Sequence, residues 1–375
     1  METEITRTRA MDTDATGPFA RVYGILTDAI AARAFPGCAF GVLSRGAVVL
    51  QDALGGSTYD GDSFPIAPET LFDVASITKV LATTAAAMLL VQRSQLDLDT
   101  PLGEFLPGFI VGRSSREHAR QVTLRHLLAH NSGLPGYVEL FRTAATRDAL
   151  LRACLQLPLT AEPGTRAEYS DPGFILLGKA LEVVMHESLA SWVQREVFDP
   201  LQLSATGFTP PYRLWAEIPP TEHDLTFRHR VIQGEVQDEN AWVMNGIAGH
   251  AGIFSNVPDL LRFAQAILTS SQSDSGLFAQ DVLNTFAERQ GPPASSRALG
   301  WDTPSENSSA GQHFSPRSIG HLGYSGCSLW IDRDAEIAAV LLTNRTWPDR
   351  SSQLMRQVRP AFHDAIRETF VDSED

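Results

Sequence analysis

The stretch from Asp73 to Gln92, DVASITKVLATTAAAMLLVQ, is apolar and alanine-rich around nearly its whole circumference. A helix of that kind is normally buried in the middle of a protein, so the rest of the chain is expected to wrap around it. Ser76 and Lys79 stand at its start. Residues three apart share a helix face, so both point into whatever the first turn meets. Backbone N–H groups of a first turn lack intrahelical partners, and the helix dipole adds partial positive charge there. A serine in that turn can therefore offer a nucleophilic oxygen together with an N–H that holds an oxyanion. The same positive environment, with desolvation, is expected to lower the pKa of Lys79 and let it share a proton with Ser76.

The chain has 375 residues, 43% of them hydrophobic, enough for a substantial core. Apolar residues recur at helical spacing from Phe19 to Ala34. After Pro36 come two β-type runs, CAFGVL and AVVLQDAL, separated by Ser44, Arg45 and Gly46. Near the other end SLWID and EIAAVLLTN predict a second hairpin around Arg333 and Asp334, followed by a helix from Gln353 to Phe370. Between the two ends the patterning is mainly helical: Ser76 to Arg93, Leu124 to Ala129, Arg147 to Leu155, Gly173 to His186, Leu189 to Val197 and Val257 to Leu268. The expected fold is α/β of the α+β type, one domain over 1–375, with an antiparallel sheet built from both termini and flanked by helices. A sheet lobe over 19–75 and 295–375 accompanies a mainly helical lobe over 76–294. Residues 1–18 are expected to be disordered, and Thr303 to Pro316 to form a surface loop.

Thirty basic against 44 acidic residues give a formal charge of -14, which repels phosphate backbones and anionic membrane faces, so nucleic acid is not an expected partner. Cys38, Cys154 and Cys327 lie far apart in apolar company and read as buried small hydrophobes. The opening METEITRTRAMDTDATG has no apolar h-region, which points to the cytoplasm, or to the periplasm or a secreted location if the start codon is misplaced. The run Val80 to Val91 is too short to span a bilayer and is interrupted by Thr83 and Thr84, so no membrane span is expected. His126 and His130 stand four apart, but Leu127 occupies the place of the glutamate in H-E-x-x-H, and no metal site is expected. An α/β-hydrolase elbow G-x-S-x-G is missed at GYSGC, where Cys327 replaces the final glycine.

S-x-x-K is the nucleophile motif of β-lactamases and penicillin-binding proteins, accompanied there by S-D-N and K-T-G elements. Tyr169, Ser170 and Asp171 sit in a turn ahead of a strongly patterned helix and resemble the Y-x-N element of class C β-lactamases and related esterases. A tyrosine can serve as general base when a nearby cation lowers its pKa, and Lys79 could supply that charge. His321, Leu322 and Gly323 occupy the place of K-T-G on a strand. LRHLLAHNSGLPGY from Leu124, NGIAGHAGIFSNVPDLLRFA from Asn245 and RALGWDTPS from Arg297 are similar to further segments of the serine β-lactamase-related family. These elements occur in family order from about residue 20 to 370, so the resemblance covers nearly the whole chain.

The resemblance implies a β-lactamase/transpeptidase-like fold with the active site between the sheet lobe and the helical lobe. It also implies acyl-serine chemistry without a cofactor, on a small molecule or short peptide. Ser76 is then the nucleophile, and Lys79 and Tyr169 move the protons. Asp171, His321, Gly323 and Tyr324 belong to substrate binding and the oxyanion site, with the Tyr324 N–H as second oxyanion donor. Glycine on an edge strand permits an extended substrate to add itself as a further strand. His321 in place of lysine removes a permanent positive charge, which weakens recognition of a penicillin carboxylate. His130 and His250 are expected to tie down backbone, and Gly249 and Gly252 to adopt positive backbone angles. The implied activity is cleavage of an amide or ester, on cell-wall-derived peptides or small esters. A weak β-lactamase and a catalytically inactive peptide-binding or sensory module of the same fold stay open as alternatives.

Overall fold

The computed structural model describes residues 17–111, 116–273 and 276–371. For residues 1–16 the expected disorder lies outside the described residues. Gly17 and Pro18 instead belong to a turn in which the Ala20 N–H donates to the Gly17 carbonyl at 3.0 Å and opens the first helix.

Both ends of the chain contribute to one antiparallel sheet. Its strands are β1 (Gly37–Ser44), β2 (Ala47–Gly55), β3 (Ile319–Leu322), β4 (Ser328–Asp332) and β5 (Ile337–Thr343), in spatial order β2-β1-β5-β4-β3. The pairing of β1 with β5, from Cys38 opposite Thr343 to Ser44 opposite Ile337, joins the N-terminal hairpin to the C-terminal one. Alternate side chains then serve two cores. Phe40 and Val42 of β1, Trp330 of β4 and Leu341 of β5 pack with Val22 and Leu26 of helix α1 (Ala20–Ala31) and with Phe362 and Ile366 of the C-terminal helix (Met355–Val371). Ala39, Leu329, Ile331, Val340 and Leu342 face the larger core on the helical side. Strands β1, β4 and β5 are buried along their whole length, which is why they read as apolar runs, whereas the edge strand β2 is largely exposed. The three cysteines are buried, as their apolar company predicts.

Helix α2 (Ala75–Gln92) is long and apolar enough to cross a membrane, yet it is packed inside the fold. It is not the regular α-helix that its sequence predicts. It opens as a 3₁₀ turn at Ala75–Ile77, widens to i→i+5 turns over Lys79–Thr84, and is α-helical only over Ala85–Gln92. The widened stretch is anchored sideways. Thr83 Oγ1 donates to the Gly249 carbonyl at 2.6 Å and Lys79 Nζ to the His250 carbonyl at 3.3 Å. Wide turns of this kind are frequent at functional sites.

Two small sheets escape the sequence pattern because their strands are too short to show a period. One joins Phe72–Asp73, Ile253–Ser255 and Gly207–Phe208, and the other pairs Glu222–Asp224 with Arg230–Ile232. The segment 303–316 corrects a second expectation. It contains neither strand nor helix, but Ala310 and Phe314 are buried in the core beneath the C-terminal helix. Asp364 Oδ1 accepts the N–H groups of Gln312 (2.6 Å) and His313 (3.2 Å), which straps the segment down.

His363 of the C-terminal helix is fully buried between the Ser309 carbonyl (2.6 Å) and Ser328 Oγ (3.2 Å), and burial pushes its pKa from 6.5 down to about 4. The unfolded imidazole takes up a proton as pH falls below 6.5, whereas the folded one does not until about pH 4. Its stabilising contribution is therefore complete above 6.5 and lost as pH falls through that window, up to about 3 kcal/mol. Buried Asp73, raised to about 6 chiefly by burial, works in the opposite sense, because the folded state is then the more protonated one between pH 6 and 3.8. Urea unfolding at a series of pH values isolates His363. The difference in stability between wild type and His363→Gln should narrow by about 2 kcal/mol or more on acidification across that window. A constant difference would contradict the assignment.

Candidate active site

The turn that carries Ser76 is built around the buried carboxylate of Asp73. Its Oδ1 accepts the Ala75 N–H at 2.8 Å, its Oδ2 accepts the Gln237 N–H at 2.7 Å, and its carbonyl accepts Ser325 Oγ at 2.7 Å. One residue thus ties the nucleophile turn to two distant loops. Ala75 has φ +48°, a left-handed conformation that costs an alanine about 1 kcal/mol and persists only where its surroundings enforce it.

Lys79 is fully buried beneath this turn. Its Nζ donates to Ser76 Oγ at 2.9 Å and to Asp171 Oδ1 at 2.7 Å, besides the His250 carbonyl. Burial by itself lowers the pKa of this ammonium, but the Asp171 carboxylate, with a further contribution from Tyr169, more than offsets it. The net direction is upward. The lowered pKa expected from the sequence is therefore corrected: Asp171, 92 residues away in the chain, supplies a counter-charge that no local pattern reveals.

Asp171 and Tyr169 are placed by the start of helix α3 (Asp171–Met185), which begins two residues earlier than its apolar pattern indicates. Ser170 is its N-cap. Ser170 Oγ accepts the Gly173 N–H (3.1 Å) and donates to the Pro135 carbonyl (2.7 Å), while the Ser170 N–H donates to His130 Nδ1 (2.9 Å). His130, itself at φ +55°, packs against Tyr169 with ring centroids 4.5 Å apart and the planes tilted by 36°. It positions the Tyr169 loop, in keeping with the structural role expected of it. The Tyr169 hydroxyl lies among Ser76, Lys79 and Asp171, and burial raises its pKa by more than Lys79 lowers it. The resting cluster accordingly holds an ammonium, a carboxylate and a neutral phenol, not the tyrosinate that a neighbouring cation alone would favour.

His321 is buried and its Nδ1 donates to the Leu322 carbonyl at 2.8 Å. Burial, with Lys79 and Arg297 nearby, pushes its pKa well below 6.5, so the ring is neutral as the sequence predicts. The strand it occupies, β3, is the outermost of the sheet. Its free edge is less open than expected for an added substrate strand. Gly320 exchanges both backbone hydrogen bonds with Asp302 (2.8 and 2.9 Å), and the Leu322 carbonyl is taken by His321. Gly323 also serves another purpose than substrate approach, since a Cβ there would lie 2.4 Å from the Val74 carbonyl oxygen. It lets the end of β3 pack against the nucleophile turn.

His250 Nε2 is 2.9 Å from Asp238 Oδ1, and its backbone carbonyl receives Lys79, so it orders the loop behind the lysine. Gly252 has the expected positive φ, +125°. Gly249 is required for contact instead, because a Cβ would meet the Phe174 carbonyl oxygen at 2.1 Å. The zinc arrangement is displaced by other bonds: His126 Nδ1 is 3.0 Å from Thr123 Oγ1 within a capping box, and His130 Nδ1 is engaged by Ser170. Among the described residues no group of three or more His, Cys, Asp or Glu side chains could hold a metal ion.

All seven residues singled out in the sequence converge. Ser76, Tyr169, Asp171, His321, Gly323 and Tyr324 line one cavity of about 490 Å³, and Lys79 lies buried behind Ser76, bonded to its Oγ. The cavity also has residues that sequence reasoning did not assign to it, notably Asp238, Glu239, Asp302 and the arginines 297, 345, 350 and 359. Arg297 and Asp302 lie within the RALGWDTPS segment, which was a usable signal; the other arginines belong to no motif.

A serine held against a buried lysine at the head of a central helix, between a sheet and a helical region, defines a serine hydrolase of the penicillin-recognising fold class. A sequence model described as Beta-lactamase matches residues 24–361, and the chain belongs to that family. An N-acetylmuramyl-L-alanine amidase of Bacillus subtilis (strain 168) is 31% identical over 353 aligned positions, covering 84% of this chain and 78% of that protein. Among solved structures, EstCE1, a hydrolase with promiscuous acyltransferase activity, superposes with a TM-score of 0.74 at 22% identity, covering 92% of this chain and 98% of that one. A class C β-lactamase from Rhodobacter sphaeroides superposes with a TM-score of 0.71 at 21% identity, covering 93% and 99%. These two likenesses concern the fold.

Proposed function

We propose that this enzyme hydrolyses an amide of a cell-wall-derived peptide through an acyl-serine intermediate, with small esters as secondary substrates and β-lactams as poor ones. The contact that carries this reading is Lys79 Nζ to Ser76 Oγ at 2.9 Å, with Ser76 in the cavity lining. The similarity to the Bacillus subtilis amidase supports the choice of an amide. Once Lys79 has given up a proton, its amine takes the proton of Ser76 as Oγ attacks the carbonyl carbon. The N–H groups of Ser76 and Tyr324 hold the resulting oxyanion. Tyr169 passes its phenol proton to the leaving nitrogen or oxygen as the bond to carbon breaks, and the Lys79 ammonium, which holds the proton taken from Ser76, reprotonates it. A water then attacks the ester carbon, its proton returning to the same pair, and the acid leaves with Ser76 restored.

Parallel assays of a muramyl-peptide amide, a short-chain aryl ester and a chromogenic cephalosporin test this. The amide should have the highest kcat/KM and the cephalosporin the lowest, with every turnover dependent on Ser76. Efficient cephalosporin hydrolysis with no amide cleavage would overturn the proposed substrate.

Because activation requires Lys79 to lose a proton, and Asp171 opposes that loss, kcat/KM should rise with pH towards the alkaline side. Asp171→Asn keeps the shape and removes the charge. Burial then dominates at Lys79, and the rising limb of the kcat/KM profile should move to lower pH. An unmoved limb in a folded variant would show that Asp171 does not control the lysine.

A further inference from the structure

We propose that Asp73 is the positioning residue of the oxyanion site, its side chain setting the Ser76 N–H and its backbone carbonyl the Tyr324 N–H; this rests on the acyl-serine reading above. Asp73 is 2% exposed and lies outside the cavity lining, so it touches no substrate. Its influence runs through what it holds.

The first donor depends on the conformation of Ala75. Asp73 Oδ1 accepts the Ala75 N–H at 2.8 Å, the closure that an aspartate makes with the backbone two residues on in a tight turn. This bond holds Ala75 at φ +48°, and the peptide that follows Ala75 carries the Ser76 N–H. Were Ala75 to relax to an ordinary negative φ, that peptide would swing and the N–H would leave its place. The carboxylate is itself pinned, because Oδ2 accepts the Gln237 N–H at 2.7 Å. Next to Gln237, the Asp238 carboxylate meets His250 Nε2 at 2.9 Å and accepts the Ala241 N–H at 2.7 Å, which fixes that loop in turn.

The second donor is seated on the same short segment. On one side of Tyr324, Ser325 Oγ donates to the Asp73 carbonyl at 2.7 Å. On the other side, Gly323 packs so closely on the Val74 carbonyl that a Cβ would lie 2.4 Å from its oxygen. The turn between them is closed by the Gly323 N–H to the Cys327 carbonyl (2.8 Å) and the Gly326 N–H to the Gly323 carbonyl (3.1 Å). Both neighbours of Tyr324 thus rest on Asp73 and Val74, the two residues that precede Ala75 and Ser76. That support is held by a strand, since Asp73 stands opposite Phe254 and the Val74 N–H donates to the Ile253 carbonyl at 3.1 Å. One buried residue therefore sets the spacing of two donors that are remote from each other in the chain. Such donors act only when held about 2.7–3.1 Å from the developing oxyanion, so a shift in either lowers kcat before it changes KM.

The test uses a matched oxoester and thionoester, in which sulfur replaces the carbonyl oxygen. Sulfur is larger and a weaker acceptor, so an oxyanion site of fixed spacing discriminates against it. Asp73→Asn keeps the shape but turns one acceptor into a donor, and either the Ala75 or the Gln237 N–H loses its partner. Ser325→Ala removes the tie on the Tyr324 side. Wild type should prefer the oxoester in kcat/KM by about two orders of magnitude, the scale of one oxyanion donor. In folded Asp73→Asn, checked by thermal melt, kcat for the oxoester should fall by about tenfold or more with KM little changed, and the oxoester preference should shrink by a similar factor. Ser325→Ala should shift the preference in the same direction. The ratio of the two esters cancels general damage to the site. An oxoester preference that stays at the wild-type value in both folded variants, whatever happens to kcat, would overturn the inference and leave the hydrolase reading intact. Absence of any Ser76-dependent cleavage of either ester by wild type would overturn the acyl-serine reading, and this inference with it.

Discussion

Ser76→Ala is expected to abolish hydrolysis of amide and ester alike, by about four orders of magnitude or more, on the scale set by removal of other activated serine nucleophiles. Ser76 accepts the Lys79 hydrogen bond and is half-buried, so the substitution removes little volume. The melting temperature should change by no more than a few degrees, as for loss of about 1 kcal/mol. Progress curves at high enzyme concentration, read beside a thermal melt, check both parts. Substantial residual turnover in a folded variant would place the nucleophile elsewhere.

Lys79→Met is expected to lower kcat/KM by at least about two orders of magnitude, the usual scale of an acid-base contribution. Methionine keeps most of the side-chain length in a fully buried position, so cavity formation is a minor part of the effect. Stability should nevertheless fall by about 2 kcal/mol, because Asp171 loses a partner at 2.7 Å; its carboxylate retains some access to the cavity, which keeps the loss below that of a wholly enclosed charge. The double variant Lys79→Met with Asp171→Asn separates the two consequences. It should regain most of the stability and none of the activity. Recovery of turnover in the double variant would return the lysine to a purely structural role.

The contrast between these two residues and the rest of the cavity shows what a sequence can carry. Ser76 and Lys79 were legible because polar groups stand at the head of a helix that must be buried, a conflict visible within four residues. The two hairpins were legible because each is local and turns at glycine or at short polar pairs. Tyr169 and Asp171 were legible through their likeness to the Y-x-N element, in a turn ahead of a strongly patterned helix. What stayed hidden depends on distance along the chain. The protonation state of Lys79 is set by Asp171, and that of Tyr169 by burial among segments far from it in sequence. The strap formed by Asp364 across residues 312–313 likewise joins positions about fifty residues apart, and a polar, glycine-bearing stretch gives no sign of it. Arg297 lies between these cases: it belongs to a segment similar to one of the family's, but only the packing of Gly300 on Thr84 shows that this segment rests on helix α2 beside the site.

The central claim is that catalysis passes through an acyl group on Ser76. Intact-protein mass spectrometry after rapid acid quench of a slowly hydrolysed ester or amide, followed by peptide mapping, tests it directly. The account predicts a mass increase equal to the acyl group, located on the peptide that contains Ser76, absent from Ser76→Ala, and decaying at the rate of steady-state turnover. Turnover with no acyl adduct at any quench time, or an adduct that maps to another residue and decays at the turnover rate, would contradict it.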